Sequence, residues 1–249
     1  MMIWAAALIG YVAGVFLNLC ADFLPLTPRL SPFRLPTCDF CGRQRRPVSL
    51  AGIIADLAGW SRCLGCGARR PLRAPLVEAG TAVVFAFLAQ RYGFTVEFAF
   101  MAAYFSALIL ILVTDIEHRL ILDIVTLPAM ALALAGSFFM PNMTPAKALI
   151  GGAIGFGLFY LLAVLARGGL GGGDVTLMGF VGLATGFPVV LVAILAGILL
   201  GGVGAGVLLA LRRAGRKSYI AYGPYLVLGG AFALLYGREF LLWYFAPYL

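Results

Sequence analysis

Long apolar runs alternate with short polar segments along most of this chain. A membrane-spanning helix needs roughly 20 apolar residues. Apolar runs that could form such helices lie near 2–20, 75–90, 97–114, 121–139, 147–166, 175–187, 188–211 and 219–237. The sixth run is short, and Thr185-Gly-Phe-Pro188 separates it from the seventh. The pattern predicts an all-α membrane protein, a bundle of about eight transmembrane helices.

The composition supports a membrane protein. The chain has 249 residues, of which 63% are hydrophobic and 11% charged. A soluble domain carries about 25% charged residues, so this chain has too few to cover a water-facing surface. The first apolar run has no basic residue before it and no A-x-A-like cleavage site. We therefore expect residues 1–20 to be a retained first transmembrane helix.

The distribution of basic residues predicts the orientation in the membrane. With eight spans, 15 of the 18 Lys and Arg residues lie on one side of the bilayer, mainly within 21–74 and 212–218. Only Arg91, Lys147 and Arg238 lie on the other side. Loops rich in Lys and Arg are cytoplasmic, so both termini are predicted to lie outside. The net charge of +8 then reflects topology, and we expect no nucleic-acid partner.

Residues 21–74 form the one polar segment of any size, and they contain a cysteine pattern. Cys38-Asp-Phe-Cys41 and Cys63-Leu-Gly-Cys66 are two C-x-x-C pairs separated by 21 residues. This is the pattern of a four-thiolate zinc site that is structural, because the protein fills all four positions. Two disulfides are the alternative, which the reducing cytoplasm disfavours. We expect a zinc-binding loop at 21–74 and a polytopic helical core at 75–249.

Four acids lie at or within the edges of the predicted spans, where acids are costly and indicate function. These are Glu78, Asp115, Asp123 and Asp174. Asp115 lies at the cytoplasmic end of the third span and Asp174 at the cytoplasmic start of the sixth. Two carboxyl groups that meet cannot both ionise easily, so one can act as a base while the other donates a proton. This pairing predicts an aspartic protease.

The glycines before Asp174 fit this interpretation. Gly171 and Gly173 have no side chain, so a substrate backbone can lie close to the acid. Alternatively, Asp174 is only a helix-start acid stabilised by the helix dipole. The same dipole predicts that Asp174 is the ionised partner of the pair and Asp115 the protonated one.

Two other classes of protein fit parts of this pattern. A transporter could use Asp115, Asp174 and Glu78 as a proton relay, but it would give the cysteine loop no role. A membrane scaffold could use the zinc loop to bind a soluble partner, but it would leave the acids unexplained.

Six motifs together resemble those of the prepilin peptidases, the type IV leader peptidases that also N-methylate their product. They are, in chain order, Gly14-Val-Phe-Leu-Asn18, the paired C-x-x-C loop, Ala74-Pro-Leu-Val-Glu78, Thr114–Asp123, Gly171-Gly-Gly-Asp174 and Tyr222-Gly-Pro-Tyr225. The family resemblance implies catalytic roles for Asp115 and Asp174, with Glu78, Asp123, Gly171 and Gly173 supporting the active site.

The same resemblance implies the substrates, the cofactor and the location. The substrates would be type IV prepilins or pseudopilins, cut at the cytoplasmic face of the bacterial inner membrane. S-adenosylmethionine would be the methyl donor. The oligomeric state is not predicted. The chain departs from the family pattern at Thr176 (usually Lys), Leu122 (usually Pro), Ala74 (usually Tyr) and Ser61 (often Gly). The last two lie in the cytoplasmic part that the resemblance links to methyl transfer.

Overall fold

A computed structural model describes residues 2–25, 38, 40–43, 50–60, 62–69, 71–165, 171–210 and 222–246. These residues form helices joined by short connections, with one isolated β-bridge between Arg62 and Arg69. The helices are α1 (Met2–Phe23), α2 (Gly52–Leu57), α3 (Arg73–Tyr92), α4 (Val96–His118), α5 (Asp123–Gly136), α6 (Pro145–Leu165), α7 (Gly172–Thr185), α8 (Val190–Ala210) and α9 (Gly223–Phe245). The predicted all-α class is confirmed.

Five helices in the described part of the chain are long and apolar enough to cross a membrane. They are α1, α4, α6, α9 and, over Val190–Val207, most of α8. Three further helices lie where spans were predicted. Of these, α5 and α7 have 14 residues each, which at 1.5 Å per residue is about 21 Å and shorter than the hydrocarbon core. The protein is therefore a multi-pass helical membrane protein, but the count of eight spans is not confirmed.

The boundaries of two predicted helices differ from the structure. The last helix was predicted at 219–237 but begins at Gly223 and continues to Phe245. Pro224 lies in its first turn, where proline is compatible with a helix, and the apolar residues after Glu239 prolong it. Helix α5, predicted at 121–139, is shorter because Leu122 is still extended. The basic residues predicted at 212–218 lie outside the described residues.

The chain divides into two compact units, Met1–Leu110 and Ile111–Leu249. In the first unit α1 packs along α3. A Cβ at Gly14 would lie 2.7 Å from the Cα atom of Glu78, so the two backbones meet directly, as small residues allow in membrane helices. The Asn18 side chain donates a hydrogen bond to the Ala74 carbonyl at 3.0 Å. Arg73 and Asp22 form an ion pair.

Helix α7 is the central element of the second unit. Every residue from Asp174 to Thr185 except Thr176 is buried, with α5, α6 and α9 packed against the helix. Glycines bring α6 and α7 into direct backbone contact. A side chain at Gly151 or Gly155 would collide with the carbonyl groups of Gly182 or Met178, respectively. Asp174, at the start of α7, is therefore carried by a helix with packed neighbours on several sides.

Candidate active site and four-cysteine cluster

Asp115 lies in the last turn of α4. The helix ends shortly after it, where Arg119 adopts a positive φ of 55° and its N–H group donates to the Asp115 carbonyl oxygen at 2.9 Å. The Asp115 side chain is buried, with 5% of its surface exposed. Its Oδ2 atom is enclosed and has no hydrogen-bond partner among the described residues. Burying a carboxyl oxygen without a hydrogen-bond partner costs free energy. Such a group is a candidate for a catalytic role.

Asp174 lies in the first turn of α7, preceded by Gly171, which is extended. Its N–H group donates to the Gly171 carbonyl oxygen at 3.1 Å. Its Oδ2 atom accepts a hydrogen bond from the Gly171 N–H group at 3.2 Å. The carboxyl group therefore caps the start of its own helix, where the dipole favours a negative charge.

The two acids that the sequence paired lie in the same unit and close together. Asp115 and Asp174, both buried, are near enough for their carboxyl groups to interact electrostatically. A negative charge on either carboxyl group disfavours a negative charge on the other. One of them can hold a proton while the other is charged, and a substrate between them would meet both an acid and a base.

The first turn of α9 forms another side of this site. A Cβ at Gly223 would overlap Asp115 Oδ2, and it would lie 3.2 Å from the Cδ1 atom of Ile121. The neighbouring Tyr222 interacts electrostatically with Asp174. Tyr222 also donates a hydrogen bond from its hydroxyl group to the Gly197 carbonyl on α8 at 3.4 Å. Tyr222-Gly-Pro-Tyr225 is recognisable as a motif in the sequence, but its position beside the aspartates was not predicted.

The glycines before Asp174 have different surroundings. Among the described residues, a side chain at Gly172 would meet no heavy atom within 4 Å, and one at Gly171 would meet only the Asp174 carboxyl group, at 3.4 Å. A Cβ at Gly173 would instead lie 2.6 Å from the Cβ atom of Ile121. Gly173 thus lets α7 contact the segment before α5.

The other two predicted support residues have separate environments. Asp123 is exposed at the start of α5 and accepts a hydrogen bond from the Thr176 hydroxyl group at 3.1 Å. Glu78 is fully buried in the first unit. Its carboxyl oxygens accept hydrogen bonds from the N–H groups of Gly52 at 2.6 Å and Ile53 at 2.9 Å. Glu78 therefore holds the start of α2 against α3.

The four cysteines of the two C-x-x-C pairs lie together. Each pair lies in a turn with the same backbone hydrogen bond. The carbonyl oxygens of Cys38 and Cys63 each accept a hydrogen bond from the N–H group of the glycine four residues later, at 2.8 and 2.9 Å. These glycines, Gly42 and Gly67, have φ values of 68° and 72°, which glycine adopts without strain.

The cysteine Sγ atoms all lie within 4.8 Å of one another. Two of the separations, Cys38 to Cys66 and Cys41 to Cys63, are 3.6 Å. A disulfide requires about 2.05 Å, and these cysteines are free thiols. The Gly65 N–H group, 3.4 Å from Cys63 Sγ, lowers the pKa of Cys63 to about 6. A thiolate is the form that binds metals, so this cluster can hold a metal ion.

Together, the fold and the site define a multi-pass helical membrane protein with a buried pair of aspartates and a four-cysteine cluster. Two family models match the chain: the type IV leader peptidase family over residues 102–206 and the bacterial peptidase A24 N-terminal domain over residues 8–92. The first contains both Asp115 and Asp174, and the second contains all four cysteines of the cluster.

Curated relatives agree with these matches. The chain is 29% identical to the prepilin leader peptidase/N-methyltransferase of Pseudomonas aeruginosa, over 93% of this chain and 89% of the relative. It is 27% identical to the protein of the same name from Bacillus subtilis, over 94% of each. A Pseudomonas putida relative of that name is 30% identical over 81% of this chain and 72% of its own length. No solved structure matches significantly. The chain belongs to the type IV leader peptidase family.

Proposed function

We propose that this protein is an aspartic endopeptidase that removes the basic leader of type IV prepilins or pseudopilins, and that it then N-methylates the new N-terminus. The observation that carries the peptidase proposal is the pair of buried carboxyl groups, Asp115 and Asp174, in the second unit. Family membership supplies the substrate class and the methyl transfer. Neither a proton-relay transporter nor a scaffold is favoured by the relatives.

The surroundings of the two aspartates support different roles. Asp174 accepts the Gly171 N–H group at a helix start, which favours its carboxylate form, so we assign it as the base that takes a proton from water. Asp115 has an unpartnered, enclosed oxygen, so we assign it as the acid that protonates the carbonyl oxygen of the scissile peptide. As the tetrahedral intermediate collapses, Asp115 takes back a proton from one of its hydroxyl groups, the C–N bond breaks, and the leaving amine takes the proton that Asp174 removed from water.

The position of the site supports cleavage at a membrane border. Asp115 lies at the end of α4, a helix long enough to span, and Asp174 lies at the start of α7. The excess of Lys and Arg in loops on the same side favours a cytoplasmic location for this end of the helices. A peptide could approach the pair over Gly171 and Gly172, where a side chain would find space.

The cysteine cluster fits a structural zinc ion. Tetrahedral coordination with Zn–S bonds of about 2.3 Å separates the sulfurs by about 3.8 Å, close to the two observed separations of 3.6 Å. Cys38, Cys41, Cys63 and Cys66 would hold the ion and leave no position for substrate. When bound, zinc would cross-link the two C-x-x-C pairs of the polar loop.

Methyl transfer is proposed from family membership. The donor would be S-adenosylmethionine, which supplies a methyl group to the amine that cleavage releases. Among the described residues, no group of side chains identifies the site where S-adenosylmethionine would bind. Comparing the mass of the mature N-terminal peptide made with and without the methyl donor tests this activity separately from cleavage.

Substituting each aspartate tests the peptidase proposal. Purified Asp115→Asn and Asp174→Asn variants, incubated in detergent with a prepilin, should leave it at full length, whereas the wild-type protein shortens it. Asp56→Asn is the matched control, because Asp56 is an exposed acid on α2 and should be dispensable. Near wild-type cleavage by either active-site variant, or no cleavage by the folded wild-type protein, would refute the proposal.

A further inference from the structure

Three polar side chains connect the first turns of α5 and α7, with Thr176 at their centre. The Thr176 Oγ1 atom lies 3.1 Å from Asp123 Oδ1 and 3.4 Å from Thr126 Oγ1. Thr126 is fully buried and lies three residues after Asp123, so both side chains share one face of α5. Thr176 lies two residues beyond Asp174 on α7.

Each threonine hydroxyl group has one hydrogen, which limits the hydrogen bonds that Thr126, Thr176 and Asp123 can form together. Thr176 has one hydrogen and two acceptors at 3.1 Å, Asp123 Oδ1 and the carbonyl oxygen of Gly173. A carboxylate accepts a stronger hydrogen bond than a carbonyl group, so donation across to α5 is favoured. Thr126 Oγ1 has two acceptors at 3.4 Å, the Leu122 carbonyl oxygen and the Thr176 hydroxyl oxygen. Donation to Thr176 gives a series of hydrogen bonds from Thr126 through Thr176 to Asp123.

These hydrogen bonds have a counterpart one turn earlier in α7, where the contact is apolar packing. Gly173 lies directly against Ile121, where a Cβ would come within 2.6 Å of the isoleucine Cβ atom. The first turn of α7 is therefore held to the start of α5 on both sides of Asp174, by packing at residue 173 and by hydrogen bonding at residue 176. A shift of either contact would move the Asp174 carboxyl group relative to Asp115.

We propose that Thr176 is a positioning residue that fixes Asp174 through hydrogen bonds to Asp123 and Thr126. The proposal rests on the proposed peptidase function, in which Asp174 acts on water. Because Thr176 acts through Asp174 and does not contact the peptide, its loss should lower kcat and leave KM unchanged.

Substitutions that keep the size of the side chain test this role. Thr176→Val removes only the hydroxyl group and should lower kcat for leader cleavage about tenfold, the kinetic equivalent of one hydrogen bond. Thr176→Ser should restore it. Thr185→Val is the matched control, because Thr185 is on the same helix and bonds to its own helix at Val181, at 2.7 Å. Equal kcat for wild type and Thr176→Val, or equal losses in the two valine variants, would overturn the proposal.

A double-mutant cycle asks whether Thr176 and Asp123 act as a unit. Asp123→Ala should lower kcat to a similar extent, and adding Thr176→Val to it should cause no further loss. Multiplicative losses would overturn the proposal. If Thr176→Val does not fold, Asp123→Asn, which keeps an acceptor oxygen but a weaker one, should lose less kcat than Asp123→Ala. Equal kcat values for these two variants would again overturn the proposal. Asp174→Asn, measured beside them, tests the peptidase function itself.

Discussion

The contact between Gly223 and Asp115 predicts the effect of one added methyl group. In Gly223→Ala the new Cβ would overlap Asp115 Oδ2 and lie 2.9 Å from Asp115 Cγ. Non-bonded carbon atoms pack about 3.5–4.0 Å apart, so the carboxyl group or the start of α9 must move by roughly 0.6–1.1 Å. A displacement of this size at a catalytic group costs about a hundredfold in rate. The overpacking also costs about 1–3 kcal/mol of stability.

The assay is the initial rate of leader cleavage per folded protein, measured beside the thermal unfolding of the same sample. Gly206→Ala on α8 is the control, because a side chain there would meet no heavy atom within 4 Å, and it should cleave at the wild-type rate. The reasoning fails if Gly223→Ala also cleaves at that rate, because the start of α9 would then not constrain Asp115.

Three further predictions concern the helix packing and the cysteine cluster. Glu78→Ala leaves the buried N–H group of Gly52 and the partly buried one of Ile53 without their acceptor. It should lower the free energy of unfolding by about 2–4 kcal/mol, and Glu78→Gln should lower it less. Gly155→Ala pushes α6 away from the Met178 carbonyl group and should lower the Tm, whereas Gly157→Ala, on an open face of α6, should not. Metal analysis should find one zinc ion per chain in the wild-type protein and none in Cys63→Ser, and leader cleavage should stay intact in this variant. Loss of cleavage in folded Cys63→Ser would contradict this.

The sequence was sufficient to predict the features that depend on local patterns. Apolar runs of helical length located the starts of the long helices within a few residues. The spacing of the cysteines predicted a cluster that can hold a metal ion, because a two-residue gap lets both sulfurs of a pair face one point. Asp115 and Asp174 were paired from their depth at the ends of two apolar runs, and the structure brings them within electrostatic range.

The contacts around the aspartates could not be predicted, because they depend on how helices cross. Gly223, Ile121 and Thr176 come from three segments distant in sequence, and no periodic pattern reports that they meet. Tyr222-Gly-Pro-Tyr225 did contain a signal, since a glycine between two aromatic residues at a helix start suggests a close approach. Eight spans were predicted, and five helices in the described part of the chain qualify. Helices α5 and α7 are shorter than the bilayer, and α3 has 20 residues but is not apolar enough.

The Asp115 oxygen without a hydrogen-bond partner indicates how the proposed peptidase stabilises the transition state. This oxygen is enclosed and has no hydrogen-bond partner in the part of the chain that the structure describes, a state that costs about 1–3 kcal/mol. A substrate carbonyl group would supply the missing partner, and the bond would strengthen as negative charge develops on the carbonyl oxygen. An interaction that is strongest in the transition state raises kcat more than it tightens binding. Asp115→Asn, which keeps a donor but cannot give up a proton, should therefore still bind a prepilin with near wild-type affinity while failing to cleave it; weakened binding would show that Asp115 instead serves to hold the substrate.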